Sequence, residues 1–253
     1  MTWLGKVVGG TIGFAIGGPV GAVAGVAFGH MFVDEEASGT RTLIKDSNRL
    51  SNGETAQMTF FVASFSMLAK LIRSDGKVTE PEIQTVRQFM IDDLRLNPQS
   101  RLAAEHIFRA AMDSNESFDN FAMQFYQNFY NQPQLLELMI DILFRVALAD
   151  GALHAEEERL IQSAVNIFKF SNDAYLKFKS RYAPDSNGYY TILGCSNSDS
   201  NDTIKAQYRK LVRDYHPDTI ASKGLPEEFT IFANDKFREI QEAYEMVKKE
   251  RSL

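Results

Sequence analysis

Residues 7–33 carry no formally charged side chain, and His30 is the one ionisable group among them. A stretch of that length, at about 1.5 Å rise per residue, predicts a helix able to span a bilayer core with some tilt. Gly5, Gly9, Gly13, Gly17, Gly21, Gly25 and Gly29 recur every fourth residue, a small-xxx-small ladder that leaves a groove for a second backbone. In water so many glycines oppose a helix, at nearly 1 kcal/mol each relative to alanine; in lipid the backbone has nowhere else to bond. Pro19 at mid-span keeps open a second reading, an apolar tail that packs on the protein or frays. Residues 34–54 are polar and mixed in charge and read as a linker or a short irregular helix. From Thr55 to Tyr182 the spacing is almost wholly helical: Phe60, Phe61, Ser64, Met67, Leu68 and Leu71 share one face. Asn97-Pro98 opens a run through Leu102, His106 and Ile107. Phe118, Phe121, Phe125 and Phe129 stripe the next, and 135–149 is strongly apolar. Ala-Pro-Asp-Ser-Asn-Gly at 183–188 breaks the pattern, and residues 189–253 resume it.

The helical region repeats itself. Leu71-Ile72-Arg73-Ser74-Asp75-Gly76-Lys77-Val78-Thr79-Glu80-Pro81-Glu82 aligns with the segment from Val146 to Glu157, with Asp150-Gly151 where Asp75-Gly76 stands. Each copy predicts a helix, an Asp-Gly turn with glycine in the left-handed conformation, and a new helix with a glutamate in its first turn. Thr79 with Glu82 predicts a capping box, and Pro81 suits a first turn. Carboxylates of this repeat, Asp75 with Glu82 and Asp150 with Glu157, are oxygen donors of the kind that hold calcium, magnesium or manganese. Neither copy has the alternating acids of a calcium loop, and capping accounts for each residue without an ion. No metal ligands, catalytic residues or cofactor are expected. His106 and His154 lack a second histidine or cysteine at ligand spacing.

Composition changes the picture little. A net charge of −6 over 253 residues, spread so that neither folded half is basic, argues against nucleic acid as a partner. The single cysteine, Cys195, excludes a disulfide framework and reads as a half-buried filler. There is no Gly-rich phosphate loop, paired-histidine zinc motif or Gly-x-Ser-x-Gly elbow, so no enzymatic activity is expected.

The candidate chemistry lies in residues 204–218. Ile204, Tyr208, Leu211, Val212 and Tyr215 make an apolar stripe at helical spacing, and Lys205, Arg209 and Arg213, with Lys210 beside them, make a basic one. Proline stops the helix at Pro217. His216, Pro217 and Asp218 are therefore expected at the mouth of a turn, displayed rather than packed. Asp199 or Ser200 caps this helix. Pro226 with Glu227 and Glu228 marks the start of the next, which offers Ala233, Phe237, Ile240, Tyr244 and Val247 to the stripe.

That arrangement resembles the J domain, by which DnaJ-type co-chaperones engage DnaK. Tyr190, Leu193 and Gly194 match the family's opening Tyr-x-x-Leu-Gly, and 236–245 matches its third helix. The Asp-Gly repeat resembles the all-helical TerB domain of tellurite resistance. An apolar Gly-rich segment (1–33), linker (34–54), TerB-like bundle (55–182), linker (183–188) and J domain (189–253), in that order, resemble the membrane-anchored DjlA-type co-chaperones. The resemblance implies an all-α chain with a single-pass helix in the inner membrane and its C-terminal domains in the cytoplasm. It further implies a DnaK-type partner met by His216, Pro217, Asp218, Lys205, Arg209, Lys210 and Arg213, whose ATP hydrolysis would be stimulated. Gly9, Gly13, Gly17, Gly21, Gly25 and Gly29 would pack membrane helices, with a homodimer as one outcome. The alternative is a metal- or stress-responsive TerB scaffold that uses the J-like domain only for interaction. An independent hydrolase is a third class, and no constellation of residues supports it.

Overall fold

The computed structural model describes residues 16–33, 50–76, 78–182, 188–221 and 225–252, and among these it is helical without a strand. Contacts divide the chain into two units, Met1–Tyr130 and Asn131–Leu253. The division falls between the two Asp-Gly hairpins, so the second hairpin shares a unit with the J-like segment.

In the first unit, α1 is Gly18–Val33, α2 Asn52–Ile72, α3 Glu80–Gln88, α4 Pro98–Asp113 and α5 Phe118–Phe129. Ser51 starts α2 with a capping box: its Oγ accepts the Glu54 N–H at 3.3 Å and the Glu54 carboxylate accepts the Ser51 N–H at 2.9 Å. By length and apolarity α2 is able to cross a membrane. Its residues from Met58 to Ala69 are instead buried without interruption by α4 and α5. The Phe60 ring meets Phe125 and Phe129 edge-on at 5.2 and 5.7 Å, the arrangement that ring quadrupoles favour. The helical run from Asn97 forms as expected, but its inner face is Ala103, Ala104, Ile107, Phe108 and Ala111, and Leu102 is 47% exposed.

Helix α1 lies against α4, α2 and α5 and buries Val20, Val23, Ala24, Ala27 and Phe28. Complete burial of side chains such as Val or Phe contributes about 1.5–3 kcal/mol each. Gly17, Gly25 and Gly29 are exposed on the other face, with Val26, and Gly21 is half-buried. The entry into α1 is specified by α5: Gln124 Nε2 donates to the Gly17 carbonyl at 2.6 Å and its Oε1 accepts the Val20 N–H at 2.8 Å. One side chain thus satisfies a donor that every helix start leaves open. Gly18 enters with φ +69°, and a Cβ on Gly21 would fall 1.6 Å from the Ile16 carbonyl oxygen. Gly9 and Gly13 lie outside the described residues.

In the second unit, α6 is Pro133–Ala147, α7 Ala155–Ile167, α8 Asn172–Ser180, α9 Gly188–Ile192, α10 Asn201–Asp214, α11 Pro217–Ala221 and α12 Glu227–Arg251. Helix α12 packs on α9, α10 and α11. Ile204, Leu211, Ile220, Phe229, Phe232, Ile240 and Val247 are buried there, and Tyr208 and Tyr244 stack with centroids 3.8 Å apart. Arg251 holds the end of α12 down, donating to Tyr190 Oη and the Asp199 carbonyl at 2.8 Å each.

The repeat runs further than the aligned sequence shows. Gly76 and Gly151 have φ +82° and +91°. Thr79 and His154 each donate a backbone N–H to the glutamate three residues on, Glu82 at 2.7 Å and Glu157 at 3.1 Å. Beyond the aligned residues, Arg95 and Lys169 are both left-handed (φ 49° and 62°), each followed by an apolar residue and then a helix cap, Asn97 or Ser171. Asp75 to Arg95 is one residue longer than Asp150 to Lys169, and only the first copy contains a π turn, Phe89–Asp93. A π turn is the local widening by which a helix absorbs one extra residue.

Candidate functional site

The site is built from the end of α10 outward. Ser200 provides the cap, its Oγ accepting the Thr203 N–H at 3.1 Å, while Asp199 accepts from Ser196 instead. Helix α10 ends at Asp214, and Pro217 occupies the first position of α11, where its missing N–H costs nothing. Asp218 projects into solvent, its side chain 95% exposed. His216 is more packed than the sequence suggests: its side chain is 46% exposed, and its ring meets Phe237 of α12 edge-on at 5.6 Å. His216 Nδ1 accepts the Asp218 backbone N–H at 3.2 Å. A backbone N–H can only donate, so in the neutral ring the proton sits on Nε2.

Arg209, Lys210 and Arg213 are exposed and Lys205 is half-buried, all on α10. Lys210 differs from the others in having a carboxylate of α6 beside it, with Nζ 3.6 Å from Glu137 Oε1. Glu137 is nearly buried, and burial pushes its carboxyl above the usual range against the opposing pull of Lys210 and Arg181.

Behind the turn lies a buried polar cluster that the sequence reading missed. Asp141 of α6, 1% exposed, accepts hydrogen bonds from the Tyr215 hydroxyl and, at 3.2 Å, from the Tyr182 hydroxyl. Arg181 Nη1 lies 3.6 Å away. Burial works against the Arg181 charge, but Asp141, Tyr215, Glu137 and Tyr182 together outweigh it and keep the guanidinium firmly protonated. Burial, and then the charge of Asp141, push both tyrosines well above their ordinary range, so they remain hydrogen-bond donors. The sequence held a signal for this cluster: Glu137 and Asp141 stand one turn apart in an otherwise apolar run. A cavity of about 20 Å³ beside Asp141, Tyr215 and Lys236 has room for about one water and not for a metabolite.

The acids of the repeat serve as caps, as described for Glu82 and Glu157, and among the described residues no group of three metal-binding side chains is assembled. Burial pushes the Cys195 thiol up to about 11, which makes it a poor nucleophile.

Three family models match the chain: tellurite resistance protein TerB over residues 61–179, the DnaJ domain over 188–252, and the co-chaperone DjlA transmembrane domain over 1–41. Co-chaperone protein DjlA of Salmonella typhimurium (strain LT2) and that of Escherichia coli (strain K12) are each 30% identical to it, with all of both chains covered. The protein of the same name from Coxiella burnetii is 29% identical over the full length of both. No solved structure matches.

Proposed function

The chain belongs to the DjlA family of membrane-anchored co-chaperones, and from that premise we propose that it recruits a DnaK-type chaperone and stimulates its ATP hydrolysis. The observation that supports this best is the turn at the end of α10, with Asp218 in solvent and His216 partly exposed, its Nδ1 taken by the Asp218 N–H so that Nε2 carries the donor. Arg209, Arg213 and Lys205 provide attraction to an acidic partner surface, which raises the on-rate more than the affinity and weakens with salt. His216 and Asp218 supply directional hydrogen bonds, and Pro217 fixes their presentation. Hydrolysis belongs to the partner; this chain acts by binding one of its states better than another.

In this reading the C-terminal units face the cytoplasm, where ATP and a DnaK-type partner reside. Arg41, Lys45 and Arg49 after the apolar segment agree with that orientation. The 16 residues of α1 would run about 24 Å, short of a hydrocarbon core of about 30 Å. The exposed face of α1 at Gly25 and Gly29 is the surface on which two such helices would meet. The metal-responsive scaffold gains no support, since Glu82 and Glu157 are engaged at helix starts.

The test is DnaK-type ATP turnover with the full chain in phospholipid vesicles, beside the chain carrying His216→Gln. Stimulation by the first and not the second is expected. Failure of both, with each folded, overturns the reading.

A further inference from the structure

Helix α6 is buried almost all round between Leu135 and Phe144, yet it carries two carboxylates one turn apart, Glu137 and Asp141. Asp141 gathers Arg181 and Tyr182, which follow α8, together with Tyr215, which follows α10. Tyr215 is the residue immediately before His216. Two weaker contacts continue the seam: Lys210 with Glu137 at 3.6 Å, and Gln134 Nε2 with Asp214 Oδ1 at 3.4 Å. Lys236 of α12 lies 4.9 Å from the centre of the Tyr182 ring. The last turn of α10 is therefore fastened to the bundle on one side, while His216 and Asp218 stay open on the other. Such a contact does not occlude the turn. It fixes the direction in which the turn is presented.

The chemistry suits a fixed direction better than mere adhesion. An apolar seam tolerates sliding, whereas a buried carboxylate shared by a guanidinium and two phenols has its strength only in one geometry. Released from the seam, the J hairpin would sample orientations in which α6 stands between the turn and a partner. Only a fraction of molecules would then be competent, and the apparent dissociation constant would rise by the inverse of that fraction.

We propose that Asp141, with Arg181, locks the J hairpin to α6 through the Tyr215 hydroxyl, and that these three are positioning residues for the His216-Pro217-Asp218 turn. The functional consequence rests on the co-chaperone reading; the lock itself does not.

The experiment uses the full chain in phospholipid vesicles, with Cys195→Ser and nitroxide labels on Asn166→Cys of α7 and Gln241→Cys of α12, both exposed. Pulsed electron resonance should give one narrow distance, which Tyr215→Phe broadens and Asp141→Asn broadens further. In ATP turnover assays with a DnaK-type chaperone, the co-chaperone concentration at half-maximal stimulation should rise several-fold in the same order, with the maximal rate retained. A loss of folded J hairpin would raise that concentration as well, so circular dichroism must show the helix content of each variant unchanged. Tyr215→Phe removes one hydroxyl and keeps the ring, which guards against a folding failure in Asp141→Asn. A broad distance in the parent chain, or one that both variants leave narrow, overturns the lock. Broadening without a rise in the half-maximal concentration overturns the positioning role. If the parent chain fails to stimulate at all, the co-chaperone reading falls, and the distances still decide the lock.

Discussion

Each of the two units holds one element against it, and the two do so by opposite chemistry. In the first unit α1 is held by five apolar side chains and one amide, Gln124, at its start. In the second unit the J hairpin is held by a carboxylate, a guanidinium and two phenols, all buried. Apolar attraction is proportional to area and indifferent to direction. In lipid α1 would meet apolar surroundings of the same kind, as suits an anchor, while the faces of α2, α4 and α5 that it covers would be left to water. A buried ionic seam carries a large desolvation cost, recovered only in good geometry. It suits a part that must point one way.

The largest effect expected is from removing the centre of the ionic seam. Asp141→Ala leaves Arg181 buried without its carboxylate and should destabilise the second unit by about 3–5 kcal/mol, read by thermal or urea unfolding. A change below about 1 kcal/mol, the range of exposed pairs, would break the contrast. The sharper version converts one seam into the other. Asp141→Leu with Arg181→Met and Tyr215→Phe should recover most of that stability, because well-packed apolar replacements of buried ion clusters are often neutral or stabilising. Stability would return without direction, so the label distances of the recovered protein should stay broad.

On the apolar side, Gln124→Ala should cost about 1–2 kcal/mol, confined to α1, since it removes one accepted and one donated hydrogen bond. Amide exchange in α1 should speed up while α2 is unchanged, and vesicle binding should be kept. The smallest effect is a pH slope. Glu137 titrates above its unfolded value because it is buried, so the native state holds more protons than the unfolded one just above the ordinary carboxylate range. Stability must then fall as pH rises through that window. Glu137→Gln should flatten this part of the melting-temperature profile, and an unchanged slope would assign it to another group.

Much of the fold was legible because its determinants are local. The Asp-Gly turns, the Thr79–Glu82 cap and the proline stop before α11 all act within a few residues, so spacing alone reveals them. Leu102 is exposed within the helix read from Asn97, because periodicity identifies a helix without saying which of its faces a neighbour covers. The basic residues of α10 were readable as a set, but not the difference between Lys210, which faces Glu137, and Arg213, which faces water. Asp141 and Tyr215 are 74 residues apart, and no local rule couples them. The one visible trace was an acid where an apolar helix had no reason for one.

The π turn at Phe89–Asp93 gives the two copies of the repeat unequal tolerance to a change in chain length. Removing one residue from that turn would leave an ordinary α-helix, and Arg95, Asn97 and α4 would keep their phase. Helix α7 has no such slack: one residue lost from it would rotate all that follows by about 100°, carrying Arg181 and Tyr182 off the face where Asp141 waits. The first copy can lose a residue and stay in step; the second, which holds the lock, cannot.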